Sequence, residues 1–234
     1  MIKKALITGG TRGIGYAIAE ILIKKGYLVT VTGTQKNGRG PAQSLYLPCD
    51  FNNEKSLADF LLTITNENWD VLVNNAGINK IGPMDEYDFN DFQKIQFVNV
   101  HVPFLITKAV LPSMKKRKYG RILNITSIFG VVSRAERSAY STSKFGLQGM
   151  TKALALEVAK DGILVNCLAP GFVDTTLTRK ILKNKGIKEI SKSIPMGRLA
   201  KADEIGKAAG FLLSEENSYM TGQNIIIDGG FTCA

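Results

Sequence analysis

The amino-acid sequence predicts an α/β fold: a doubly wound, mostly parallel sheet of about seven strands with helices on both faces. Three observations predict it. Strand-like and helix-like patterns alternate along the whole chain, as they do when crossover helices link parallel strands. A glycine cluster, Thr8-Gly9-Gly10-Thr11-Arg12-Gly13-Ile14-Gly15, separates the first strand pattern from the first helix pattern. The segments after the strand ends, residues 9–15, 74–79, 126–134 and 169–176, collect the unusual glycine and polar residues. In an open α/β sheet those ends form the ligand crevice.

The elements follow from local pattern. Ile2–Thr8 carries the apolar run of a buried strand, and Gly13–Lys25 follows as a helix. Tyr27–Gly33 is β-branched and forms the second strand; Gln43–Pro48 is a short third one. Glu54–Thr65 is helical, and Asp70–Asn74 is a buried strand running into Asn74-Asn75-Ala76-Gly77. A long helix covers Asp91–Lys118, with irregularity expected at Pro103 and Pro112. Arg121–Thr126 is a strand, Ala139–Lys160 a helix and Ile163–Leu168 a strand. Ala202–Ser214 is the last helix and Asn224–Ile227 the last strand. Residues 172–200 lack a strand pattern and are expected to form a mobile helical flap over the site. With no linker, repeat or low-complexity tract, residues 1–234 are expected to form one domain.

Composition narrows the class. Apolar residues make up 44% of the chain and charged ones 21%, ordinary for a soluble globular protein. Apolar runs look too short to cross a bilayer, so no membrane association is expected. Met1-Ile2-Lys3-Lys4 runs straight into a strand, and no leader is expected. Cys49, Cys167 and Cys233 are few, odd in number and widely spaced, which fits a reducing cytoplasm and argues against a disulfide framework or zinc site. The only histidine, His101, reads as packing or surface, and Trp69 and Phe104 as core. The net charge of +10 favours anionic ligands in general. Its dense groups, Lys115–Lys118 with Arg121 and then Lys180, Lys183, Lys185 and Lys188, are each most simply solvated helix surface; no nucleic-acid partner is expected.

A glycine turn between a strand and a helix N-terminus suits a dinucleotide pyrophosphate, because backbone N–H groups face the phosphates at close range. The next strand discriminates between cofactors. An acidic residue about 20 positions beyond the glycines binds the ribose hydroxyls of NAD. Here that window holds Gly33, Thr34, Gln35 and Lys36, and no Asp or Glu occurs between Glu20 and Asp50. Arg12, Lys36 and Arg39 supply cations instead, so the expected cofactor is NADP(H), with Arg12 and Thr34 as the preferred contacts to its 2′-phosphate.

A second constellation is Ser127, Tyr140, Ser143 and Lys144. Tyr140 and Lys144 are four apart and share one helix face. A tyrosine with a pKa of about 10 needs a nearby cation to act as an acid–base near neutrality, and the Lys144 ammonium is placed to provide it. Ser127, at a strand end, can bind a carbonyl oxygen. Asn99 can hold a water that relays protons to Lys144.

In these motifs the chain resembles the short-chain dehydrogenase/reductase family, over nearly its whole length, with a Rossmann-type sheet. The resemblance implies that Asn99, Ser127, Tyr140 and Lys144 are catalytic. It implies cofactor contacts from Gly9, Thr11, Arg12, Gly13, Ile14, Gly15, Thr34, Asp50, Asn75, Ala76, Gly77, Tyr140, Lys144, Pro170, Gly171, Val173 and Thr175 (or Thr176), Asp50 lying near the adenine. Lys144 would bind the nicotinamide ribose and lower the tyrosine pKa. Pro195-Met196-Gly197-Arg198-Leu199 and Tyr219-Met220-Thr221-Gly222 resemble bacterial 3-oxoacyl-acyl-carrier-protein reductases. Acyl carrier protein is then an expected partner, guided by the basic run 115–118, although Asp161 stands where a second basic docking residue is expected. Arg134 and Arg137 are more charge than a simple acyl pocket needs; they meet an anionic substrate, or lie on an outward-facing loop or at a subunit contact. The alternatives are a reductase of a small ketone or keto-sugar, and a non-catalytic cofactor-sensing protein. By the same resemblance a homotetramer forms through Asp91–Lys118, Ala139–Lys160 and Asn224–Ile227.

Overall fold

A computed structural model describes residues 2–234; Met1 lies outside the described residues. Seven strands form one parallel sheet in the order β3-β2-β1-β4-β5-β6-β7. They are β1 (Lys4–Ile7), β2 (Leu28–Gly33), β3 (Leu45–Pro48), β4 (Val71–Asn74), β5 (Gly120–Ile125), β6 (Ile163–Pro170) and β7 (Asn224–Ile227). The helices are α1 (Gly13–Lys24), α2 (Glu54–Thr65), α3 (Phe89–Gln96), α4 (Val102–Arg117), α5 (Ser138–Val158), α6 (Thr176–Ser193) and α7 (Ala202–Leu212). The strand order reverses at β1, whose neighbours are β2 and β4. The crevice of such a sheet opens beyond the carboxyl ends of these two central strands. The glycine turn after β1 and the Asn75-Ala76-Gly77 segment after β4 both lie there.

Alternating strand residues bury both faces. Leu6, Leu72, Ile122 and Val165 point into one core layer, with Phe60 and Ile64 of α2, Ile106, Val110 and Met114 of α4, and Val158 of α5. Ala5, Ile7, Val71, Val73, Leu123 and Leu168 point into the other, with Ile18 and Leu22 of α1 and Ile205 and Ala209 of α7. Small residues let α7 come close to α1: a Cβ on Gly206 would lie 3.1 Å from the Ala17 backbone.

The expected long helix divides. Asp88 caps α3, its side chain accepting from the Asn90 N–H at 2.7 Å. A π-helical segment, Phe97–His101, then joins α3 to α4. The irregularity therefore falls at 97–101, just before Pro103, which has no N–H to continue the helical ladder. The helical stretch Phe89–Arg117 is long and apolar enough to cross a membrane by length and composition, contrary to expectation, but Val102, Ile106, Val110 and Met114 pack it onto the sheet. Phe104 points away from that face and is 54% exposed, so it is not core. Trp69 is buried, its indole N–H donating to the Ile64 carbonyl at 3.0 Å. His101 is exposed. Within residues 172–200 the helix expected there covers Thr176–Ser193, kinked at Lys183 (φ +53°); a parallel bridge between Val173 and Ala200 ties the two ends together, and α6 buries no residue fully. Cys49 and Cys167 are buried free thiols and Cys233 an exposed one.

Candidate active site

Gly13 has φ +58°, a left-handed conformation that glycine adopts without strain, and this turns the chain from β1 into α1. Gly15 serves through its missing side chain: a Cβ would lie 2.4 Å from Asn75 Nδ2 and 2.5 Å from the Gly9 carbonyl oxygen. Asn75 Nδ2 donates to the carbonyls of Thr8 (2.9 Å) and Gly9 (3.0 Å), and Thr8 Oγ1 accepts from the N–H groups of Asn75 and Ala76, both at 3.0 Å. The two crevice segments are thus laced together. Thr8 was legible only as part of the glycine motif; its role as acceptor depends on the β1–β4 neighbourhood.

Arg12 occupies the N-cap position of α1 without making a side-chain cap. The first N–H groups of the helix have no intrahelical acceptor and remain available to an anion. Thr175 approaches the turn from the far side, its methyl 3.4 Å from where a Gly13 Cβ would lie. Thr11 packs against Gly33 at the end of β2, beside Thr34. Arg12, Thr34, Lys36 and Arg39 are exposed, and among the described residues none of the three cations forms an ion pair. Asp50 sits after β3, its carboxylate accepting from the Asn52 N–H at 3.0 Å. Pro170 ends β6, and Gly171 leaves room for the Asp228 backbone: a Cβ on Gly171 would lie 2.8 Å from the Asp228 Cα. An open helix N-terminus, a glycine cradle and unpaired cations at the end of β2 fit a phosphorylated dinucleotide.

Asn99 lies in the π-helical segment, a common position for functional residues. Its Oδ1 accepts from the Ile78 N–H (2.9 Å), and its Nδ2 donates to the Ile78 carbonyl (2.9 Å) and to Ser143 Oγ (3.0 Å). Both ends of its side-chain amide are thus held by protein partners. It fixes the backbone after Gly77 against α5. Ile78 is the partner that sequence reasoning left out of the site; Ser143 was already in the constellation around Tyr140. Gly77 adjoins both Asn99 and Lys144: a Cβ there would lie 3.2 Å from Asn99 Oδ1 and 3.7 Å from Lys144 Nζ.

Lys144 is 4% exposed, and its Nζ donates to the Ile125 carbonyl at 2.8 Å. Burial pulls its ammonium down to about 8. Tyr140, three residues into α5, has its ring 5.5 Å from Lys144 Nζ. Burial pushes its phenol above the ordinary value of 10, opposed by the Ser127 hydroxyl and the Arg137 charge. In the chain by itself burial outweighs these two groups, which favours the neutral phenol. Ser127 follows β5, its Oγ accepting from the Phe129 N–H at 3.1 Å. A row of edge-to-face aromatics, unread in the sequence, lines this side. Phe129 meets Tyr140 (centroids 6.5 Å) and Phe172 (6.1 Å), and Phe172 meets Phe231 (5.3 Å).

Beneath the site a buried polar chain joins strands to helices. Asn74 Nδ2 donates to Asn124 Oδ1 (2.7 Å), and Asn124 Nδ2 donates to Thr151 Oγ1 (2.8 Å). Asn74 thus ties β4 to β5. Among the described residues no cluster of metal-ligating side chains occurs.

A family model described as enoyl-(acyl carrier protein) reductase matches residues 9–232. A solved structure titled short chain dehydrogenase/reductase family protein is 30% identical, covers 98% of this chain and 97% of its own, and superposes with a TM-score of 0.90. The chain belongs to the short-chain dehydrogenase/reductase family. As a member of that family it is an oxidoreductase. It is 39% identical to the 3-oxoacyl-(acyl-carrier-protein) reductase FabG of Escherichia coli, over 97% of this chain and 96% of that one. It is also similar to a gluconate 5-dehydrogenase of Burkholderia cenocepacia solved with NADP and tartrate: 28% identity, TM-score 0.91, 99% of this chain and 96% of that one.

Proposed function

We propose that this short-chain dehydrogenase/reductase is an NADPH-dependent reductase that transfers a hydride to a substrate carbonyl, with Tyr140 as the acid. The reading is carried by one observation: Tyr140, half-buried near Ser127, has Lys144 Nζ 5.5 Å from its ring where the central strands end. The α1 N-terminus and glycine turn would hold the pyrophosphate, Arg12 and Thr34 the 2′-phosphate, Asp50 the adenine end, and Asn75, Ala76, Gly77, Pro170, Gly171, Val173 and Thr175 the nicotinamide half. When bound, the nicotinamide supplies the hydride. Ser127 donates a hydrogen bond to the carbonyl oxygen and so draws electron density from the carbon. Tyr140 passes its proton to the oxygen as negative charge develops there. Lys144 reaches the nicotinamide ribose and, as an ammonium, favours the phenolate left behind. Asn99 positions Lys144's surroundings through Ile78 and Ser143.

The first substrate class is a 3-oxoacyl thioester on acyl carrier protein, supported by the FabG relatives. The basic run 115–118 is one candidate surface for the acidic carrier. It ends α4 at the amino-terminal edge of the sheet, opposite the site, where Arg117 pairs with Asp70 and Lys118 with Asp161. The exposed Lys180, Lys183, Lys185 and Lys188 on α6 lie at the site's edge and carry the acidic-partner reading better. A second reading, a small keto acid or keto-sugar, is favoured by Arg137. A single domain working in the cytoplasm belongs to the proposal, as does a tetramer through α4, α5 and β7. Phe104, Phe145, Leu156 and Ile226, exposed on those elements, support that assembly.

The test is NADPH oxidation with an acetoacetyl thioester, beside NADH, for the native protein and Tyr140→Phe. Loss of the acid should lower turnover about 100-fold or more while NADPH still binds. Full turnover by the phenylalanine variant would refute the mechanism and revive the cofactor-sensing alternative.

A further inference from the structure

Arg137 stands immediately before α5, three residues ahead of Tyr140. Its backbone is anchored, the Arg137 carbonyl accepting from the Ser141 N–H at 2.8 Å. Its side chain is not: Nε and Nη1 are buried with no hydrogen-bond partner. The guanidinium carbon lies 5.5 Å from the centroid of the Phe129 ring, the same ring whose edge meets Tyr140. Among the described residues no carboxylate forms an ion pair with it. Glu136 next to it is exposed, and Arg134 adds a second positive charge. Burial and Arg134 both weaken the hold on the Arg137 proton.

A guanidinium does not escape such a place by deprotonating. Buried donors without acceptors are costly, and charged ones more so. Nothing on the protein side relieves them, whereas a planar fork of N–H groups matches an oxyanion. Phe129 and Phe172 form an apolar wall running from this fork past Tyr140. We propose that Arg137 is a specificity-determining residue that binds an oxyanion, carboxylate or phosphate, carried on the carbonyl substrate. The preferred substrate is then a short oxo acid or oxo phosphate whose carbonyl reaches Tyr140 while its anion reaches Arg137. This rests on the reading of Tyr140 as proton donor to a carbonyl.

Two matched pairs test it: levulinate against methyl levulinate, and dihydroxyacetone phosphate against dihydroxyacetone. For each, kcat/KM with NADPH is measured for the native protein, Arg137→Gln and Arg137→Lys. Calorimetry of levulinate and dihydroxyacetone phosphate on the NADP-loaded protein gives a readout independent of turnover. At least one anion should be preferred over its neutral partner by about tenfold or more. That preference should collapse towards one in Arg137→Gln and recover in part in Arg137→Lys, and the pair that shows it identifies the source of the anion. A preference that survives Arg137→Gln, or no preference and no anion binding at all, overturns the assignment. Anion binding that needs Arg137 without any turnover would uphold it and overturn the reductase reading instead. Melting temperatures of the two variants separate a folding defect from a lost contact.

Discussion

Replacing Lys144 by methionine removes a cation that the fold holds out of water at a cost, and the cost has a pH signature. Burial lowers the ammonium from an ordinary 10.5 to about 8 in a side chain that is 4% exposed. Between those two values the unfolded chain binds more protons than the folded one. Native stability therefore rises with pH through that window, and below about 8 the full penalty is present. A shift of this size corresponds to about 3 kcal/mol. Between about pH 7.5 and 10 the gain is about 2 kcal/mol. Cys49 and Cys167, pushed up to about 11, titrate in the upper part of the same range with the opposite sign. The informative quantity is thus the native protein minus Lys144→Met, in which groups common to both largely cancel. Methionine keeps most of the apolar stem, so the packing changes little. Urea unfolding of both proteins, followed by the fluorescence of Trp69, the single and buried tryptophan, gives the difference at each pH. It should rise by about 2 kcal/mol in favour of the native protein. Parallel curves would mean that the fold does not depress this ammonium, and a falling difference would mean that it stabilises the charge.

Three further outcomes are expected. Arg12→Gln should weaken NADPH binding about tenfold or more and leave NADH nearly unaffected, because a charge-assisted contact to the 2′-phosphate is lost; equal losses in fluorescence titrations would assign Arg12 to the pyrophosphate. Gly15→Ala forces a Cβ against the Gly9 carbonyl and the Asn75 amide, costing about 1–3 kcal/mol in urea unfolding and weakening NADPH binding; an unchanged affinity would show that the turn can yield there. Asn124→Ala strips partners from Asn74 and Thr151 at a fully buried position, costing about 2–4 kcal/mol with NADPH affinity intact; a loss below about 0.5 kcal/mol would deny the network its structural role.

Much of the site was legible because its signals are local. The glycine turn, Tyr140 with Lys144, and Ser127 at a strand end each depend on neighbours within a few residues, where backbone periodicity places side chains. The β7 boundaries could be read to the residue, since a short β-branched run has little freedom. What the sequence left unread concerns partners far apart along the chain. The Asn99 amide is held by Ile78 and Ser143, 21 and 44 residues away, contacts that no local pattern shows. Phe104 looked like core because it is large and apolar, yet its helix turns the opposite face to the sheet. The π-helical segment was invisible because prolines draw attention to themselves, whereas one extra residue in a helical turn leaves no compositional mark.

The same distinction bears on what selects the substrate. Burial is imposed by the fold from all sides, so its effect on a charge cannot be read from the residues on either hand of it. Lys144 and Arg137 are both cations that the chain half or wholly encloses, but they resolve the cost differently. Lys144 has a carbonyl acceptor and can shed its proton near pH 8. Arg137 has two buried nitrogens without an acceptor and cannot shed its proton. A lysine at position 137 could turn its single ammonium towards solvent on a flexible stem; an arginine keeps a rigid fork in place. Retaining the costlier cation beside Tyr140 is reasonable only if something bound there during turnover supplies the missing acceptor. That places the selectivity of this reductase at the start of α5, within one helical turn of its proton donor, and away from the lysine-rich surface that dominates the charge pattern of the sequence.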